Sequence, residues 1–170
     1  MKKLLLVTSL ILLASRRLGA NRAVFNPSRN TDDWGSGSFG ASRDGGTRPH
    51  LGTDYTVTEG EVVYAPFDMD IYSGSYPYAS NLAFKGVKFN TKINGVDYNG
   101  RIWYFVPYTG IVGSVVSKGD PIGVAQSLQS KYPGITDHIH VHLSTAVDVS
   151  NQFNTMLYEG RYYVNPSDVV

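Results

Sequence analysis

Cysteine is absent from the 170 residues. Disulfide staples are therefore excluded, and stability has to come from the apolar core or from a bound metal. Histidine is scarce, with four in all. The longest apolar run, residues 4–14, falls short of the roughly 20 residues a membrane-spanning helix needs, and nothing later offers one. No usable Asn-x-Ser/Thr acceptor occurs, because Asn26 and Asn165 are each followed by proline. Internal repeats, heptads and low-complexity tracts are missing too. So is any excess of basic charge. The formal net charge is +1, and it becomes −3 once the four basic residues of the first twenty are set aside. Nucleic acid is a poor partner for such a chain.

What is present is β-rich. Eighteen glycines and twelve tyrosines in a chain of 42% hydrophobic residues favour strands and turns over a helical bundle. Lys2 and Lys3, the apolar run and the small residues Gly19 and Ala20 read as a secretory signal peptide over residues 1–20, hence a secreted, extracellular protein. Residues 21–47 are polar and glycine-rich and read as an arm in which Trp34 and Phe39 need a surface to rest on. Residues 48–170 read as one domain, long enough for a single core. Turn residues recur there between short β-rich runs, as in an all-β, mainly antiparallel sandwich or barrel. Asn94-Gly95 joins the clearest hairpin, residues 86–93 and 96–106, since it supplies the positive φ angles of a two-residue turn. Residues 148–163 fit either a second hairpin or a short helix.

Three of the four histidines fall in Asp137-His138-Ile139-His140-Val141-His142. Alternation with β-branched residues predicts a strand carrying His138, His140 and His142 on one face and an aliphatic set on the other. The fourth lies in Arg48-Pro49-His50-Leu51-Gly52-Thr53-Asp54. Imidazoles concentrated in this way, completed by a carboxylate, suit a divalent metal, zinc first. A solvent-facing strand edge with incidental histidines would carry the same alternation.

Several segments together resemble the lysostaphin-type, or LytM-like, zinc endopeptidases, and more closely a secreted, chemotaxin-like animal branch of that family. The residues that carry the resemblance are His50-x-Gly52-x-Asp54, then residues 60–66 (Gly-x-x-Val-Tyr-Ala-Pro), Lys118-Gly119-Asp120-x-x-Gly123, Tyr132-Pro133-Gly134-Ile135 and His138-x-His140, in that order. The resemblance implies the peptidase β-sandwich or barrel with long loops. It also implies that His50, Asp54 and His140 hold zinc, leaving a fourth position open as in a catalytic site. His138 matches a non-ligand histidine that positions the zinc water or stabilises an oxyanion. His142 stands where the family usually has an acidic residue, and would orient a ligand or be a spare surface histidine. A shifted register, with His140 and His142 as the working pair, is the alternative.

The resemblance also breaks. The active peptidases use a second non-ligand histidine in a Tyr-x-His-like context, and Val106 occupies that place here. Valine neither moves a proton nor donates a hydrogen bond. Tyr104 or Tyr108 would be the substitute donor. The disulfides of the chemotaxin-like branch are missing, with Thr31, Ser36, Val57 and Asn99 at the matching places, and residues 144–163 are added length. The expectation is a zinc-binding protein with a peptidase fold and little or no peptidase activity. It would act by binding an extracellular receptor, matrix component or microbial surface component. A zinc endopeptidase acting on glycine-rich or peptidoglycan peptides, and a zinc-stapled matrix protein, are the alternatives.

Overall fold

A computed structural model describes residues 27–169; the expected signal peptide lies outside the described residues. Thirteen strands follow one another with two short 3-10 turns, at Asp44–Gly46 and Pro166–Asp168. A small ribbon pairs β1 (Ser42–Arg43) with β2 (Arg48–Pro49). Next come β3 (Thr53–Thr56), β4 (Val62–Tyr64), β5 (Met69–Ser75), β6 (Gly86–Ile93), β7 (Val96–Trp103), β8 (Phe105–Pro107), β9 (Ser114–Val116) and β10 (Pro121–Ala125). The chain closes with β11 (His138–Thr145), β12 (Thr155–Tyr158) and β13 (Arg161–Val164). The main sheet runs β12-β13-β11-β7-β6-β5-β9, with β3 also on β11, and a three-stranded sheet runs β4-β10-β8. The pairings between these strands are antiparallel, as an alternating pattern broken by turn residues predicts.

Asn94 and Gly95 take φ of 51° and 80°, so the β6–β7 turn has the positive angles its sequence announces. The second arm of that hairpin is shorter than expected. Tyr104 sits at φ 72°, in the left-handed region, and ends the ladder at Trp103. Beyond this break, residues 105–107 cross to the small sheet and pair with β10. The segment expected to be one central strand is therefore two strands in two sheets. Residues 148–163 resolve into the β12–β13 hairpin, which extends the main sheet past β11.

The core lies between the sheets. Ile71, Phe89, Ile102, Phe105, Ile122, Val141 and Leu143 have no solvent exposure, and each such burial contributes about 1.5–3 kcal/mol. A satellite cluster of Phe84, Leu128 and Ile135, flanked by Tyr78, Tyr104 and Tyr132, supports one side of the histidine region. The polar segment before β1 is bonded to β3 on both sides of Asp54. Arg29 N donates to Asp54 O at 2.7 Å, and Asp54 N donates to Gly37 O at 2.9 Å. Trp34 finds its surface at the loop before β11, where Nε1 donates to Pro133 O at 3.0 Å and the ring meets Tyr132 edge-on.

Candidate metal centre

The centre is built where β3 pairs with β11. Register places Asp54 directly opposite His140, and Trp103 of β7 opposite His140 on the other side. Alternation along β11 then gives the histidines one face and Ile139, Val141 and Leu143 the core. The histidine face is covered, so the solvent-facing edge is not what the chain builds: His138, His140 and His142 are all buried. His50, also buried, arrives from the loop after β2, its backbone N donating to Ala41 O at 2.7 Å. Gly52 lets that loop come close. A Cβ at Gly52 would lie 2.2 Å from Val141 O and 2.9 Å from His140 Cε1. Its role is close approach to β11, rather than a sharp bend of its own.

Three donor atoms converge. His50 Nε2 lies 2.9 Å from His140 Nδ1 and 3.2 Å from Asp54 Oδ1, and His140 Nδ1 lies 3.0 Å from Asp54 Oδ1. Ligands of one tetrahedral zinc at the usual bond lengths sit about 3.3 Å apart, so the triangle fits the ion with small adjustment. The tautomers fit as well. His50 Nδ1 faces Ser38 O at 2.9 Å; a carbonyl only accepts, so Nδ1 carries the hydrogen and Nε2 offers its lone pair. His140 Nε2 faces His142 Nδ1 at 3.2 Å. With the hydrogen on His140 Nε2, donated to His142, the Nδ1 lone pair of His140 is free for a cation. Without a cation, His140 Nδ1–H donating to Asp54 satisfies the same contact.

The second oxygen of Asp54 is held from behind. Arg29 Nη2 lies 3.4 Å and Arg43 Nη2 3.5 Å from Oδ2, and Arg43 is fixed by donating to Ser36 O at 2.7 Å. Burial by itself would raise the Asp54 carboxyl. The hydrogen bonds of His140 and His50 outweigh it and hold the group well below the usual carboxylate range, so it is ionised. Burial pushes His140 down to about 4, against the pull of Asp54, and pushes His138 and His142 down as well. All three rings are neutral at pH 7. Neutral imidazoles and an ionised carboxylate are the forms a divalent metal takes up without displacing protons.

A cleft of about 580 Å³ opens over the triangle. His138 lines it without joining the triangle: its Nδ1 donates to Thr136 O at 2.7 Å and its Nε2 stands 3.7 Å from Asp54 Oδ2. In the same cleft, the hydroxyls of Tyr104, Tyr78 and Tyr132 form a chain, at 2.9 Å and 2.8 Å. The Tyr104 ring meets His138 edge-on at 5.2 Å. Burial pushes the Tyr104 phenol up to about 12. Trp103 stacks on His140 at 5.0 Å and closes the far wall.

The chain is 34% identical over 118 residues to leukocyte cell-derived chemotaxin-2 of Mus musculus, covering 68% of this chain and 72% of that protein. It belongs to the leukocyte cell-derived chemotaxin-2 family. The Bos taurus chemotaxin-2 matches at 32% identity over the same shares. Myeloid protein 1 of Gallus gallus is 34% identical over 127 residues, and the chain spans 34% of its length. No family model matches the chain. Among solved structures, LytU aligns with a TM-score of 0.50 at 22% identity, covering 72% of this chain and 77% of that one. The solution structure of lysostaphin aligns with a TM-score of 0.49 at 20% identity, covering 67% of this chain and 44% of that one. The chain has the antiparallel β fold of the lysostaphin type, as LytU does.

His50, Asp54 and His140 come together, with all three buried. His142 turns its Nδ1 to His140, not to Asp54, so the shifted register has no triangle of its own. Val106 is 38% exposed and is not among the residues lining the cleft. Tyr104 lines it in preference to Tyr108, because the left-handed break at Tyr104 turns its side chain inward before the strand changes sheet. Arg29, Arg43 and Tyr78 were not singled out by the sequence, and Tyr132 stood out only as the start of the Tyr132-Pro133-Gly134-Ile135 segment. They lie in segments without periodicity, and only the pairing of β3 with the preceding polar segment brings the arginines to Asp54.

Proposed function

We propose that the protein is a secreted, zinc-binding member of the chemotaxin-2 family that has the peptidase fold with little or no peptidase activity. It acts by binding an extracellular receptor, matrix or microbial surface component. The observation that carries this reading is the use made of the four histidines. His50 and His140 face the metal position with Asp54, and the Nδ1 of His142 is engaged by His140 Nε2 at 3.2 Å. That leaves His138 alone for proton transfer. Zinc bound there would supply Lewis-acid polarisation of a water or carbonyl.

The residues around it do less than a hydrolase requires. His138 Nε2 can accept a proton from a group in the cleft, since its Nδ1 hydrogen is committed to Thr136 O. Beside it the cleft offers the Tyr104 hydroxyl, which stays protonated at neutral pH and is tied to Tyr78. It donates a hydrogen bond but does not relay a proton. Loss of one acid–base group costs on the order of 10²–10⁴ in rate. The polar walls and the tyrosine chain serve recognition instead. Among the described residues no helix is long and apolar enough to cross a membrane, which is compatible with export.

The test pairs metal analysis of the purified protein with a cleavage assay on pentaglycine and peptidoglycan. The reading expects stoichiometric zinc without turnover. Zinc-dependent cleavage that disappears in His138→Ala would replace it by the second reading, a zinc endopeptidase. The observation in favour of that second reading is the uncommitted Nε2 of His138 in the cleft.

A further inference from the structure

On the same face of the main sheet, beyond His142, lies a second cleft of about 250 Å³. Arg101, His142, Ser144, Arg161, Tyr72 and Tyr163 line it. The added β12–β13 hairpin supplies two of these walls, Arg161 and Tyr163. Register explains the assembly: His142 is directly opposite Arg101, and Arg101 is directly opposite Lys88. Like charges placed opposite one another in a sheet are destabilising. None of Lys88, Arg101 and Arg161 forms an ion pair among the described residues, whereas Arg29, Arg43, Arg48 and Lys92 do. This face therefore gathers cationic charge that the fold leaves uncompensated.

The groups are also held in position. Arg161 Nε donates to Ser144 Oγ at 3.1 Å, and Nη2 donates to Asn99 Oδ1 at 3.0 Å. These acceptors are neutral, so they orient the guanidinium without cancelling its charge. Arg101 is exposed, with its guanidinium 5.7 Å above the Trp103 ring. His142 is buried, its Nδ1 occupied by His140, and its Nε2 forms no hydrogen bond among the described residues. A ring nitrogen next to two guanidiniums, in a cleft of polar walls, calls for an acceptor carrying negative charge.

We propose that this cleft is an oxyanion-binding site, taking a sulfate or phosphate group between Arg101, Arg161 and the Nε2–H of His142. The planar forks of two arginines match the spread oxygens of such a group. The site is separate from the metal triangle, and Arg161 is oriented by Ser144 and Asn99, neither of them a residue of the triangle. An oxyanion there favours the Nε2–H tautomer of His142, the same tautomer that leaves His140 Nδ1 free.

The test is calorimetric titration of the protein, its zinc content measured on the same sample, with inorganic sulfate, inorganic phosphate and a fully sulfated disaccharide. Arg101→Gln and Arg161→Gln are each expected to weaken binding at least tenfold, with Arg101→Lys intermediate. Lys118→Gln, an equal charge change at an exposed site elsewhere, is expected to change it less than twofold. Tighter binding of the disaccharide would assign the oxyanion to a glycan, and equal binding would assign it to the free ion; either supports the site. No binding of any probe, an equal loss with Lys118→Gln, or a loss with His50→Ala alone would overturn it. Arg101→Gln alters an exposed side chain, so its result stands even where Arg161→Gln perturbs the hairpin.

Discussion

His50 Nε2 and His140 Nδ1 lie 2.9 Å apart although 90 positions separate them, and His142 Nδ1 completes the line at 3.2 Å from His140 Nε2. At one end Ser38 O makes His50 a Nδ1–H tautomer, whose Nε2 lone pair faces His140 Nδ1. At the other end His142 would support His140 as a ligand through Nδ1 by accepting its Nε2 hydrogen when a metal is bound. Removing that acceptor with His142→Ala should weaken zinc binding by about 10–100-fold without unfolding the protein. His142→Gln, which can still accept through its amide oxygen, should recover part of the loss. Competition against a chromogenic chelator measures both. Unchanged affinity in His142→Ala would remove His142 from the metal's support.

Gly52 is the point where the loop that leads from His50 into β3 touches β11. Gly52→Ala puts a methyl group against the Val141 carbonyl and the two neighbouring histidines. Overpacking of this kind costs about 1–3 kcal/mol or more. In a chain of this size that corresponds to a drop in Tm of roughly 3–10 °C. Since the strain falls on His140 itself, zinc affinity should fall along with Tm. A thermal melt and a metal titration on the same sample check the pair of effects.

Buried phenols set the alkaline limit, and burial raises four of them, Tyr55, Tyr78, Tyr98 and Tyr104. Burial pushes Tyr55 and Tyr104 up to about 12, against about 10 in the unfolded chain. A folded pKa above the unfolded one means that the native state holds its protons more tightly. The contribution is intact below about pH 10 and is lost as pH rises toward 12. Melts at pH 8, 10 and 11 should show Tm falling only in the last interval. Tyr104→Phe should make that decline shallower, because one of these protons is no longer at stake.

The β class, the β6–β7 hairpin and the histidine strand were legible because each rests on a local rule: alternation, or a turn with a fixed φ requirement. The break at Tyr104 was not, since a tyrosine at φ 72° goes against the local preference of its residue type and is held there by tertiary context. Of the centre, His50, Asp54 and His140 could be named from spacing and resemblance. Arg29 and Arg43 could not, because their approach to Asp54 depends on the polar segment lying along β3. The role of His142 was open in the sequence for a similar reason. Which ring nitrogen faces which neighbour is decided by pairing with β7 and β13, and β13 belongs to the added hairpin.

The most direct measurement is the metal content of the purified protein by mass spectrometry, for the wild type and for His50→Ala and His140→Ala. The account predicts one zinc per chain in the wild type and loss of the metal in both variants while circular dichroism stays that of a β protein. A wild type that binds no zinc after dialysis against it, or variants that keep a full equivalent, would contradict the account.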